Sequence, residues 1–161
     1  MHLMCGVRTK TVTAVDISGW TANDTTYFVP LVQRTAEHFS VKEVLADKAY
    51  LSHKNLQAVQ SVGATPFVPF KSNTVEPEAG DSTAWAQMYH YFMGNREKFL
   101  EHYHQRSNVE TAYSMMKAKF GDSVRSKSDV GQINEALCKV LCHNLCVLVQ
   151  AIHELGIEPA F

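Results

Sequence analysis

Four side chains at offsets of three, seven and fourteen, Tyr103, Arg106, Glu110 and Lys117, could do chemistry together. At about 100° per residue, one helix would hold all four within an arc of about 60°. A carboxylate flanked by two cations and a phenol, at the border between core and solvent, suits a site that holds metal and phosphate. Beside that arc, Val109, Tyr113, Met116 and Phe120 form the expected buried face. The spacing also admits a plainer arrangement. Arg106 and Glu110, four apart, could form an exposed ion pair worth a few tenths of a kcal/mol, with Lys117 solvated and Tyr103 packed at a helix end.

A second acid, Asp47, directly follows the short apolar run Val44-Leu45-Ala46. In α/β sheets, ligands are met just past the carboxyl ends of strands. An aspartate after a strand is also a common turn or helix cap. If Asp47 and Glu110 reach one sheet edge, they could bind Mg²⁺ or Mn²⁺, hard cations that take oxygen ligands and keep several waters. Two such ions roughly 3.5–4 Å apart would activate a water or 3′-hydroxyl and stabilise the leaving oxygen of a phosphodiester.

The other chemically capable residues have simpler readings. Cys138, Cys142 and Cys146 trace one side of a helix, with Cys5 and His143 elsewhere. Zinc needs ligands converging from more than one direction, so thiols packed in a core helix are the expectation. His102 and His104 flank Tyr103 and are expected to be solvated, within reach of a phosphate. Trp85, Tyr89 and Phe92 recur at helical spacing and are expected in the core rather than as a base-stacking platform. Lys71, after a strand, is expected to be solvated.

The elements that must position these residues follow from pattern. His2–Val7 and Thr11–Ser18 are β-rich runs joined by Arg8-Thr9-Lys10, a hairpin. Asp24 or Thr25 would cap a helix to about His38. Lys42–Ala46 is a strand, Ser52 caps a helix that stops at Gly63, and Ala64–Phe70 is a strand bounded by prolines. The segment 71–83, rich in Ser, Pro, Gly and acid, is expected to be a mobile loop. Trp85–Gly94 and Asn95–Tyr103 are helical, followed by the helix of the charged stripe, ended by Gly121. Ser128 or Asp129 opens a last helix to about Leu155. Strands alternating with helices indicate an α/β sheet domain with a helical C-terminal part.

Composition sets the outer limits. The 161 residues, 45% of them hydrophobic, suffice for one domain with a core. The apolar stretch Ala136–Ile152 is broken by Lys139, His143, Asn144 and Gln150, which argues against a membrane span and for a buried helix. No charged leader precedes an apolar run, and four cysteines without framework spacing indicate a reducing, cytoplasmic setting. Net charge is −1, yet Arg96–Lys127 holds seven basic against four acidic residues, a local +3 around the carboxylate. A phosphate substrate would favour that strip.

The run Tyr-x2-Arg-x3-Glu-x6-Lys resembles the glutamate signature of insertion-sequence DDE transposases. The similarity spans nearly the whole chain, through His2-Leu3 and its hairpin, Ala22-Asn23-Asp24, Ala46-Asp47-Lys48-Ala49-Tyr50 and His143-Asn144-Leu145. It implies a ribonuclease H-like fold, divalent-metal cofactors (Mg²⁺ or Mn²⁺), and DNA, at transposon ends and target, as partner. The implied reaction is phosphodiester cleavage followed by attack of the freed 3′-hydroxyl on target DNA. Asp47 matches the second metal-binding aspartate and Glu110 the third acid. Tyr103, Arg106 and Lys117 match residues that grip the phosphates flanking the cut. Asp24 matches a recurring position whose expected job is helix capping.

The resemblance also places a first catalytic aspartate on a strand just upstream of His2-Leu3, with a DNA-end-binding region before it. The expectation is therefore the C-terminal portion of a catalytic domain, its first strand missing, inactive alone. Asp16 is the nearest substitute acid but sits at the far end of a different strand. An unpaired hairpin edge would also favour dimerisation or marginal stability. The contrasting expectation is a non-catalytic regulator that binds transposase or its DNA, or a decayed remnant without a selected role.

Overall fold

A computed structural model of the chain describes residues 1–18 and 25–156. Asp24, the expected cap and family-matched position, lies outside the described residues. The order is β1 (His2–Cys5), β2 (Val12–Asp16), α1 (Thr25–His38), β3 (Glu43–Leu45), α2 (His53–Ser61), β4 (Thr65–Phe67), α3 (Thr83–Gly94), α4 (Arg96–Tyr103), α5 (Ser107–Phe120) and α6 (Asp129–Glu154). Short 3₁₀ turns cover Lys48–Tyr50 and His104–Arg106.

Local signals act where the sequence places them. Ser52, Ser82 and Ser128 each accept a hydrogen bond from a backbone N–H three residues on, capping α2, α3 and α6. Gly63 follows α2 at φ 76° and Gly121 follows α5 at φ 78°, a backbone that residues with a Cβ seldom adopt. Residues 71–82 form neither helix nor strand.

The four strands make two small sheets. β1 and β2 pair antiparallel as a hairpin, and β3 and β4 pair parallel. Among the described residues neither sheet hydrogen-bonds to the other. Between them lies a cavity of about 550 Å³, lined by Met1–Cys5 on one side and Glu43–Asp47 on the other. α1 contributes Phe28, Leu31 and Val32 to its walls, and α5 contributes Val109 and Tyr113.

Two hydrophobic clusters hold the chain together. The larger gathers α1, β3, α2, β4, α3 and α4 around Leu56, Val59, Val68 and Phe99, all fully buried. Trp85, Tyr89 and Phe92 pack in or against it, as their spacing predicted. The smaller comprises Val12, Met116 and Val140, with Tyr113 and Phe120 alongside.

α6 departs from expectation. It is helical throughout, but only Val140, His143 and Val147 are buried. These face the hairpin and α5, the elements α6 packs against. Leu141, Leu145 and Leu148 point away and are 52–60% exposed. The helix is expected to be buried because it is apolar on most sides; the described residues offer it partners to one side only. Cys138 and Cys142 are exposed and Cys146 half-buried, so the expected packing of these thiols in a core is also corrected. By length and composition alone α6 is long and apolar enough to cross a membrane.

Candidate functional site

Asp47 directly follows β3 and does two jobs with its two oxygens. Oδ1 accepts a hydrogen bond from Lys48 N at 2.8 Å, capping the 3₁₀ turn Lys48–Tyr50. Oδ2 faces Arg106, with Nη1 at 3.8 Å. The capping and site readings of Asp47 are therefore compatible.

The stripe Tyr103, Arg106, Glu110, Lys117 is not carried by one uniform α-helix. Tyr103 ends α4, His104–Arg106 is a 3₁₀ turn, and Glu110 and Lys117 belong to α5. A 3₁₀ turn eclipses side chains three apart. Arg106 accordingly lies over the Tyr103 ring, 5.7 Å from its centroid. Its Nη2 reaches Glu110 Oε1 at 3.3 Å.

One guanidinium thus bridges Asp47 and Glu110, acids 63 positions apart in sequence. Because a guanidinium is small and planar, the two bridged oxygens lie within about 9 Å of one another. Burial pulls the Arg106 pKa down. Attraction to Tyr103, Asp47 and Glu110, with a hydrogen bond to Tyr103, outweighs it and holds the group above its ordinary value. The carboxylates themselves remain open, their side chains 48% and 64% exposed. Asp47 and Arg106 line the cavity between the sheets, so the pair sits at its rim.

Lys117 stands apart from this cluster. It is two turns beyond Glu110, on the order of 10 Å along the helix axis. It lines a separate cavity of about 220 Å³ with Tyr113, Met116 and Lys139. The charged residues thus form a row along the helix rather than a single pocket.

The other candidates have their own partners. Asp16 pairs with Arg34 and does not line the cavity between the sheets. His102 stacks on Phe67 at 4.5 Å and meets Glu43 Oε2 through Nδ1 at 2.9 Å. His104 and Lys71 are exposed. Burial pushes the Cys5 thiol up, with Lys10 opposing, which disfavours a nucleophilic thiolate there.

The profile of the transposase DDE domain matches residues 1–145, nine-tenths of the chain. The chain belongs to this family. No curated protein and no solved structure matches it. The DDE family places this chain among proteins of DNA transposition, with DNA as the implied partner and divalent metal ions as the usual cofactors.

The donor set fits a hard divalent ion in part. Asp47 and Glu110 offer oxygens of the right type within one site. Among the described residues no group of three or more His, Cys, Asp or Glu is placed to hold a metal ion. Mg²⁺ commonly binds through one or two carboxylates, with waters and substrate phosphates completing its shell.

His143-Asn144 has a role that neither its residue types nor the resemblance announced. The Asn144 amide accepts from Val12 N at 2.8 Å and donates to Val12 O at 2.8 Å. It thereby pairs with β2 as a neighbouring strand would. His143 Nε2 meets Lys10 O at 2.9 Å, so this nitrogen carries the proton, while buried Nδ1 has no partner among the described residues. An alternative strand edge satisfied from a helix leaves no local sequence signal.

Proposed function

We propose that Asp47 and Glu110 hold Mg²⁺ or Mn²⁺ for cleavage and strand transfer at transposon ends, with Tyr103, Arg106 and Lys117 binding the DNA backbone. The observation that carries this reading is the convergence of both acids on Arg106 at the cavity rim. The metal, when bound, would supply an activated oxygen nucleophile and charge stabilisation at the phosphodiester.

Arg106 is the pivot of this reading. Without metal its single positive charge partly offsets two carboxylates. With a divalent ion held by the same pair, the Arg106 guanidinium would be free to fork onto two phosphate oxygens. The Tyr103 ring limits where it can turn. Lys117, about 10 Å on, is spaced to meet the backbone beyond. The local basic excess favours that path.

The cavity suggests how a third acid would arrive. An extended segment seated between β1 and β3 would join the sheets in the order β2-β1-segment-β3-β4, the ribonuclease H-like arrangement. A carboxylate on that segment near Asp47 would complete the acidic set. On this reading the 161-residue polypeptide binds metal and DNA weakly and does not cleave by itself. Four free cysteines accord with a cytoplasmic setting.

Two substitutions test the pivot. Arg106→Gln is expected to bind Mn²⁺ severalfold more tightly in the absence of DNA, read by electron paramagnetic resonance, and to bind DNA more weakly. Glu110→Gln should weaken Mn²⁺ binding about tenfold or more. Unchanged Mn²⁺ affinity in both variants would remove the metal site. Robust Mg²⁺-dependent nicking by the purified chain, abolished by Glu110→Gln, would overturn the inactivity of the isolated polypeptide.

A regulatory reading, in which the chain binds transposase or its DNA without cutting, draws on the same basic row. Salt-dependent DNA binding without cleavage, together with capture of an intact transposase, favours it.

A further inference from the structure

We infer that the outward stripe of α6 is the interface through which two copies of this chain associate. Leu141, Leu145, Leu148, Ile152 and Leu155 follow spacings of four, three, four and three, the a/d alternation of a two-helix seam. Four of the five are 52–73% exposed, and Ile152 is half-buried. The buried residues of α6, Val140, His143 and Val147, lie on another face, so the stripe is not a continuation of the domain core.

Three observations select a second copy as the occupant. First, residues 140–153 contain no Asp, Glu, Lys or Arg, so two stripes can meet without like-charge repulsion. A nucleic acid or a strongly charged partner would gain nothing there. Second, the area suffices. With roughly 100 Å² withdrawn per leucine, and Val130, Leu137 and Val149 beside the seam, each copy would bury about 800 Å², near the standard for a stable interface. Third, Leu141, Leu148 and Leu155 occupy d-type positions, where leucine favours pairs of helices.

A lipid bilayer is the rival occupant, since α6 is long and apolar enough to cross one. Asn144 and His143 oppose it. Their hydrogen bonds to Val12 and Lys10 tie the middle of α6 to the hairpin, and a spanning helix would have to break them.

Sedimentation equilibrium of the whole chain between about 1 and 100 µM tests the proposal. The expected result is twice the monomer mass at the upper concentrations. Leu148→Glu should raise the dissociation constant at least tenfold while leaving the far-ultraviolet helical signal unchanged. Val75→Glu, at an exposed apolar residue in the 71–82 segment, should leave the dimer intact. A monomer at 100 µM would overturn the proposal and leave the stripe to a different protein. A dimer insensitive to both Leu148→Glu and Leu141→Glu would overturn it by placing the interface elsewhere. Co-flotation with neutral phosphatidylcholine vesicles, lost in Leu148→Glu, would assign the stripe to lipid instead. None of these readouts depends on metal or DNA, so failure here is separable from failure of the metal site.

Discussion

Residues 25–103 and the pair formed by the hairpin and α5–α6 are built on different principles. The first region is held by packing. Fifteen buried residues from α1 to α4 and from β3 and β4 form one cluster, with Phe99 meeting Phe67 and Phe92, and Phe70 meeting Tyr89, edge to face. The second is held by stitching. Its cluster has three buried members, and the hairpin is tied to α5 and α6 by polar contacts at Lys10, Val12 and Met1. The two regions meet where α1 packs on the hairpin, and again where Arg106 joins Asp47 of the packed region to Glu110 of the stitched one.

The largest expected effect lies in the packed region. Phe99 is fully buried and contacts Phe92 at 4.9 Å and Phe67 at 5.3 Å. Phe99→Ala should destabilise by about 3–5 kcal/mol, through lost transfer energy and a residual cavity. Met116→Ala, in the stitched region, should fall at about 2 kcal/mol, the low end for such a truncation. Urea unfolding of both variants checks this. Equal costs would mean that the second region is as densely packed as the first.

The next effect probes the stitching itself. Asn144→Ala removes both partners of the Val12 backbone and should cost about 1–3 kcal/mol. Its sharper mark is local. The Val12 amide should lose hydrogen-exchange protection, while amides of α2 and β4 keep theirs. Loss of protection spread evenly over the chain would merge the two regions into one cooperative unit.

The packed region was the more legible of the two in the sequence. Ser52, Gly63 and the Trp85, Tyr89, Phe92 spacing act within a turn or two of themselves, so their consequences could be read locally. Asp47 was legible as a cap, because that reading rests on its place after a strand. What escaped depends on encounters between distant segments. The 3₁₀ turn at His104–Arg106 interrupts a helical pattern without glycine or proline to mark it. The exposure of α6 follows from what the rest of the domain fails to cover, and Asn144 pairs with a strand 132 positions away. Lys117 was legible as a member of the stripe but not as standing apart, because angular spacing ignores distance along the axis.

The smallest expected effect comes from Glu135, which anchors the start of α6 to the loop after α5. Its carboxylate accepts from Arg125 N at 2.9 and 3.0 Å, and from Ser126 N and Oγ at 2.9 Å each. These bonds, that from Ser126 N foremost, hold its pKa below the ordinary 4.5. A carboxyl that is more acidic when folded adds stability above its unfolded pKa and loses it as pH falls through the folded value. The wild-type chain should therefore melt slightly above Glu135→Gln at pH 7, and the gap should close as pH drops below about 4.5. Because Glu135 is only half-buried, solvent screening keeps the gap small. A gap that persists at pH 3 would mean that neutral hydrogen bonds, rather than the charge, hold the loop, and the stitched region would then owe less to electrostatics than its polar contacts imply.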